Sequence, residues 1–190
     1  MTVITRETRE TRVRVEINAG PGEGTIDTSI RFLDHMLRTF ARYAGLELSL
    51  TARGDLPHHL IEDTAIAIGT ALQQFQAARI VRYGDRTIPM DDALVHACID
   101  LGGRPFYSGP LPSTLYDHWM RSFADHARAT VHLRVLRGTD RHHIVEGAFK
   151  ALGFAVRDAL VESEVLASTK GSVQWDNVDA GSPRSLAPGP

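Results

Sequence analysis

Histidine and glutamate recur in this chain in one pattern, twice. Leu33-Asp34-His35-Met36 is followed by His58-His59-Leu60-Ile61-Glu62, and Tyr116-Asp117-His118-Trp119 by His142-His143-Ile144-Val145-Glu146. His35 and His118 lie 83 positions apart and the His-His-x-x-Glu blocks lie 84 apart, so one inserted residue accounts for the shift. Arg38/Arg121, Phe40/Phe123 and Ala41/Ala124 keep the first offset, Gly54/Gly138 the second. A self-match at fixed period marks duplication. Composition alone predicts roughly 0.02 copies of His-His-x-x-Glu in such a chain, so two copies are not accidental.

The chemistry these residue types offer is metal ligation. Imidazole with carboxylate suits Mn²⁺, Fe²⁺, Co²⁺ or Zn²⁺, and the lack of thiolates argues against a closed structural zinc site. Each block opens a helix, where the first His and the Glu stand at i and i+4 and the second His and the Glu at i and i+3, so either pair can share a face. Adjacent His are about 100° apart around the axis and aim at different places. Two ions, or one ion shared with another subunit, use that geometry better than one ion taking both. Six His and two Glu divide naturally into two sets of three His and one carboxylate, with positions left for water or substrate. The bland reading makes adjacent His helix caps on a solvated face; it suits a single pair better than this doubled one. Asp34 and Asp117 read equally as acceptors orienting a ring or as charges at a helix N-terminus.

A second set is cationic. Arg82 precedes Tyr83-Gly84, Arg104 sits in Gly102-Gly103-Arg104-Pro105, Lys150 follows Glu146 by one helical turn, and Ser168-Thr169-Lys170-Gly171 lies after the last helix. Such groups beside glycine-bounded turns can grip a phosphate, although each taken singly is more often a surface charge.

The elements that must position these groups follow from periodicity. Val13, Val15 and Ile17 alternate with charged residues, the two-residue period of a half-buried strand. Gly20 to Gly24 is a turn and Thr25 to Ile30 a strand. Phe32, Leu33, Met36, Leu37 and Phe40 have helical spacing, and Leu46, Leu48 and Leu50 alternate. Ile61, Ala65, Ile68, Leu72 and Phe75 form an apolar helical stripe. The series repeats as a strand over 93–101, a turn at Gly102-Gly103, a strand over 105–108, a helix over 115–127 and alternation at Val131, Leu133 and Val135. Val145, Phe149, Leu152, Val156 and Ala159 match the first stripe position for position. The reading is an α/β fold of duplicated β-β-α-β-α halves, with helices packed between mixed sheets. A fourth strand per half stays open, and the segment 77–89 is an ambiguous connector.

The length suits one domain made of two repeats, about 9–85 and 90–171, with 172–190 a flexible tail rich in Gly, Ser, Pro and Asp. A net charge of −2, from 21 basic and 23 acidic side chains, advertises no phosphate-tracking surface for nucleic acid. No apolar run approaches the ~20 residues that cross a bilayer, and the charged segment Thr5 to Glu10 does not suit a signal peptide. Cys98, the single cysteine, is expected in a buried strand and has no internal disulfide partner. The expectation is a soluble cytoplasmic protein.

At this point the chain resembles the imidazoleglycerol-phosphate dehydratase family. The resemblance rests on Glu10-Thr11, Phe32 to Leu37, Gly54-Asp55-Leu56, His58 to Asp63, Arg82-Tyr83-Gly84, Pro89 to Leu94, Gly103-Arg104-Pro105, His142 to Glu146 with Phe149-Lys150-Ala151, and Ser168 to Gly171, in order. It implies a hydro-lyase of histidine biosynthesis that converts imidazole glycerol phosphate into imidazole acetol phosphate through a dinuclear metal-bound imidazolate. It further implies two Mn²⁺ per site and sites assembled between subunits of a shell of twenty-four. Carried over, His35, His58, His59, Glu62, His118, His142, His143 and Glu146 would be the ligands. Glu10 would act on the substrate near the reacting carbons. Arg82, Arg104, Lys150, Ser168, Thr169 and Lys170 would hold the substrate, mainly its phosphate.

The chain departs from the family in places. Only Pro57 separates Gly-Asp-Leu from His-His, the segment 107–115 is short, His126 stands where Asn is common, and Asp140 where Asn is frequent. None removes a ligand. Two other readings share the residues: a dinuclear hydrolase of a small phosphorylated substrate, which would release inorganic phosphate, and a non-catalytic metal-binding shell, which would need no role for Arg82, Arg104 or Lys170.

Overall fold

The computed structural model describes residues 1–77 and 79–164. The first half runs β1 (Thr2–Glu7), β2 (Thr11–Ala19), β3 (Ile26–Asp27), α1 (Arg31–Ala44), β4 (Leu46–Gly54) and α2 (Pro57–Gln73), the last extended by a 3₁₀ turn over Gln74–Ala77. The second repeats it as β5 (Tyr83–Met90), β6 (Ala93–Asp100), β7 (Phe106–Ser108), α3 (Thr114–His126), β8 (Thr130–Arg137) and α4 (Arg141–Ala159). Each half folds its strands into a four-stranded mixed sheet, ordered β1-β2-β4-β3 and β5-β6-β8-β7, with only the short third strand parallel to its neighbour.

The alternation expected from sequence is what buries each sheet's inner face. Val13, Val15, Ile17, Leu46, Leu48 and Leu50 point inward from the first sheet, and Val95, Ala97, Ile99, Val131 and Leu133 from the second. The helices fill the space between the sheets. α1 and α2 pack on the first sheet, α3 and α4 on the second, and across the middle α1 lies on α4 and α2 on α3. One continuous core results.

The fold class is therefore as read, with one more strand in each half than the count of three. The added strands are β1 and β5, both at sheet edges. Edge strands bury one face only partly, here in the pattern intermediate–exposed along all of β1, so their alternation is weak in apolar residues. β5 carries Gly84 and Pro89, and its span falls in the segment that read as a connector. The strand expected over Thr25 to Ile30 contracts to two residues. Cys98 lies in a strand, as expected, but on the half-exposed face of β6. Among the described residues no helix is long and apolar enough to cross a membrane. The expected tail, 172–190, lies outside the described residues.

Candidate metal centres

Each His-His-x-x-Glu block opens a long helix, α2 or α4, with the Glu one turn in. Asp140 caps α4, accepting hydrogen bonds from the backbone N–H groups of His142 (2.7 Å) and His143 (3.3 Å). Such a cap satisfies donors that the helix cannot. α2 starts instead with Pro57 at its first turn, which needs no N–H partner there.

Two clusters of potential ligands form, and each crosses the two halves. His58 and Glu62 of α2 meet His118 of α3; His142 and Glu146 of α4 meet His35 of α1. In each set the ligand atoms lie within 4.8 Å of one another. His118 Nε2 stands 3.3 Å from Glu62 Oε2, and His35 Nε2 stands 3.4 Å from Glu146 Oε2. The i, i+4 pairing, and not i, i+3, is the one used.

Close helix contact makes this possible. A Cβ on Gly69 of α2 would lie 2.8 Å from the backbone oxygen of Phe123 in α3, and one on Gly153 of α4 would lie 2.8 Å from the backbone oxygen of Phe40 in α1. These glycines are themselves 84 positions apart. Only a bare Cα lets the paired helices run this near, and the contact holds His118 and His35 over the opposite helix.

The second His of each block does not join these clusters. Adjacent side chains leave a helix about 100° apart around its axis, and the paired rings stand with centroids 6.1 Å apart in His58/His59 and 5.9 Å apart in His142/His143. His59 Nδ1 pairs with Asp55 Oδ1 at 2.7 Å, and His143 Nδ1 pairs with Asp92 Oδ1 at 2.7 Å. The hydrogen bond to Asp55 raises the pKa of His59, and that to Asp92 raises the pKa of His143. Asp92 is held well below the ordinary carboxylate range, first by the backbone N–H of Thr139 and then by His143. Asp55 and Asp92 are thus the carboxylates that fix a ring, a role the sequence reading had offered to Asp34 and Asp117. Those two serve differently. Asp34 accepts from Thr28 N–H (2.8 Å) and Thr28 Oγ1 (2.6 Å), and Asp117 accepts from Tyr107 Oη (2.6 Å) and Leu111 N–H (2.8 Å), so each ties down the loop that precedes its helix. The signal for Asp55 was its place one helical turn before His59; the signal for Asp92 was not local.

Glu10 sits in the β1–β2 turn, well exposed, with Oε2 3.7 Å from His59 Nδ1. Its backbone is fixed on both sides: its N–H donates to Thr8 Oγ1 and its carbonyl accepts from Asp55 N–H. The neighbouring Thr11 hydroxyl donates to the buried Asp63 of α2, which also takes Arg6. The Glu10 carboxylate itself is left free of hydrogen bonds among the described residues.

The cationic groups do not gather. Arg82 is clamped by Asp100, with one guanidinium nitrogen 3.0 Å from Oδ2. Its backbone N–H bonds Ala159 at the far end of α4. Arg104 lies on the neighbouring turn, exposed, its carbonyl accepting from Thr130 Oγ1. Along α4, Glu146 to Ala159 spans about 20 Å at 1.5 Å per residue. Lys150 stays at the near end, 2.9 Å from Glu146 Oε1 and 3.0 Å from Met90 Sδ. Burial works to raise the Glu146 carboxyl, but Lys150 and His35 outweigh it and the group sits below its ordinary value. Ser168, Thr169 and Lys170 lie outside the described residues. The histidines beyond the repeat stay apart from the clusters: His96 pairs with Thr87 and Cys98, His126 with the Ser122 carbonyl, and His132 stacks near Phe106.

The donor sets fit a divalent cation. Two imidazoles and one carboxylate converge in each cluster, with no thiolate. His118 Nε2 is buried without a hydrogen-bond partner and faces Glu62, an unused donor atom aimed into its cluster.

Comparison with known proteins gives one consistent result. The imidazoleglycerol-phosphate dehydratase family model matches residues 28–156. The protein of that name from Pyrobaculum calidifontis is 46% identical over 182 residues, covering 87% of this chain and 96% of its own. Its namesake from Anaeromyxobacter sp. strain Fw109-5 is 42% identical over 186 residues, 88% of this chain and 91% of its own. Among solved structures, IGPD from Pyrococcus furiosus in complex with (S)-C348 superposes with a TM-score of 0.82 at 40% identity, covering 90% of this chain and 100% of that one. The Staphylococcus aureus enzyme gives 0.77 at 32% identity, over 85% and 99%.

Proposed function

Because the chain belongs to the imidazoleglycerol-phosphate dehydratase family, a family of hydro-lyases, we propose that it removes water from D-erythro-imidazole glycerol phosphate to give imidazole acetol phosphate. The setting would be histidine biosynthesis in the cytoplasm. The observation that carries the reading is the pair of His-His-Glu clusters, each assembled across the duplicated halves.

His35, His142 and Glu146 would hold one divalent cation, and His58, Glu62 and His118 another, with Mn²⁺ the ion first expected. When bound, the cations would supply Lewis acidity to the nitrogens of the substrate's imidazole ring. His59 and His143 complete the ligand set from a neighbouring subunit. Their support is that Asp55 and Asp92 hold each ring by Nδ1 and turn it away from its own chain's cluster.

The placement of the chain's cations supports sharing between subunits. Arg82 and the turn bearing Arg104 adjoin the C-terminal ends of α2 and α4, where Gln76 and Ala159 lie. Both clusters stand at the opposite ends, about 20 Å away. At that separation one chain's Arg82 and Arg104 lie far from its own clusters. A second copy can supply them, in keeping with a closed homo-oligomer, for which twenty-four subunits is our proposal. Arg82, Arg104 and Lys150, with Ser168, Thr169 and Lys170, would hold the substrate and its phosphate.

Dehydration takes a proton from the carbon beside the departing hydroxyl and delivers one to that hydroxyl. The enol left behind becomes the ketone. Glu10 is the group that would carry one of these protons: its carboxylate is exposed and free of hydrogen bonds among the described residues, on a backbone fixed beside His59. Glu146, buried and ion-paired, stays a ligand.

The test is turnover of imidazole glycerol phosphate by metal-stripped protein with and without Mn²⁺. Ketone phosphate only with the ion is the expected result. Release of inorganic phosphate, or no product from an assembled and metal-loaded protein, would overturn the reading.

A further inference from the structure

The two clusters are related by the duplication, yet one carries a cation of its own. Lys150 stands four residues after Glu146, its ammonium 2.9 Å from Oε1 and its side chain largely buried. The equivalent position after Glu62, 84 residues earlier, is Ile66, an uncharged residue. Among the described residues the ion-pair partners of Glu62 are His58 and His118 alone. The Glu62 set therefore offers an entering cation one net negative charge, whereas the Glu146 set offers none.

We propose that the two clusters hold divalent cations with unequal affinity, the set of His58, Glu62 and His118 the tighter and the set of His35, His142 and Glu146 the weaker, because Lys150 neutralises Glu146. The inference rests on the dinuclear reading above. Glu146 is the more buried carboxylate, 9% exposed against 36% for Glu62, and weaker screening would by itself strengthen its pull on a cation. Burial does not restore the balance. Lys150 is itself largely enclosed, 16% exposed against 9% for its partner, so the repulsion between its ammonium and an incoming cation is also strengthened by a low dielectric. Lys150 also occupies Oε1, which leaves Oε2 to face His35 and His142. A full charge this near corresponds to a dissociation constant weaker by about tenfold or more.

The experiment is titration of the metal-stripped, full-length assembly with Mn²⁺, followed by calorimetry and by the spin-resonance signal of free Mn²⁺. Two ions per chain in two affinity classes, at least about tenfold apart, is the expected result. Lys150→Met should draw the weaker class toward the tighter one. Ile66→Lys should do the reverse, collapsing both into a single weak class, and it answers the question if Lys150→Met fails to assemble. Two equal ions per chain in the unaltered protein, or two classes indifferent to both substitutions, would overturn the inference while leaving the dinuclear reading in place. No ion bound at all would overturn that reading as well.

Discussion

A histidine ring has two nitrogens, and the partner of one decides what the other does. His143 gives Nδ1 to Asp92, and His59 gives Nδ1 to Asp55, so in each ring Nε2 is the nitrogen turned toward other partners; that of His143 stands 3.2 Å from Asp91 Oδ2. Asp92 has a depressed pKa because backbone N–H groups and His143 favour its charged form; His143 has a raised one because of Asp92. In metal-free protein the depressed carboxyl contributes stability above about pH 4, lost as pH falls through its folded value. The raised imidazole contributes below about pH 6.5, and that part is lost as pH rises through its folded value. Asp92→Asn should therefore lower the Tm most between about pH 4 and 6.5, with the gap narrowing at higher pH and closing in acid; a thermal melt series across pH reads it. Glu10 is the opposite case, a carboxylate in the equivalent hairpin with no hydrogen bond holding it. Glu10→Gln should leave Mn²⁺ stoichiometry and assembly size unchanged and reduce kcat by about 10²-fold or more. Full turnover in that variant, measured by ketone phosphate formation, would remove Glu10 from the chemistry.

Helices, at the next scale, act in pairs. α1 lies on α4 and α2 on α3, each pair with its N-termini together, and the glycine in each crossing sets how near they come. A methyl group on Gly153 must push against backbone atoms of α1, which cannot rotate away as a side chain could. Gly153→Ala should cost about 1–3 kcal/mol in equilibrium unfolding and weaken cation binding at the set of His35, His142 and Glu146. Gly69→Ala should do the same at the other set. Loss of both cations from either single variant would mean that the glycines support the fold as a whole and not one cluster each. The strands contribute to placement more than to chemistry. The β1–β2 turn puts Glu10 beside α2, and the β5–β6 turn puts Asp92 beside α4, equivalent positions given unlike duties.

On the scale of the whole molecule, one core joins both halves. Trp119 of α3 is fully buried against Phe123, Phe149 and Phe40, which come from α3, α4 and α1. That shared centre is why each candidate cluster can draw its side chains from both halves through one packed core. The arginines at the other end of the helices look outward from their own clusters. If sites form between chains, Arg82→Ala and Glu146→Gln assemblies should each be inactive, while an equal mixture, dissociated and reassembled, should recover toward roughly a quarter of full activity by random pairing. A mixture as inactive as its parents would place all the necessary groups in one chain.

Much of this was written locally. Duplication, the metal-type donor set, the two long helices and the inward faces of the central strands are legible because helix and strand periods turn spacing directly into direction. The divergence of His58 from His59 follows from the same local geometry. The edge strands β1 and β5 were not legible, since half-exposed strands carry little apolar alternation. Nor was the grouping of ligands. The spacing offers two sets of three histidines and one carboxylate without recording which His joins which Glu, and the packing joins His35 to Glu146 and His118 to Glu62 across the molecule. That choice is made by which helix faces bury one another in the shared core, an energy spread over many contacts between residues far apart in the chain. No spacing within a segment records it, and only the packed tertiary structure decides it.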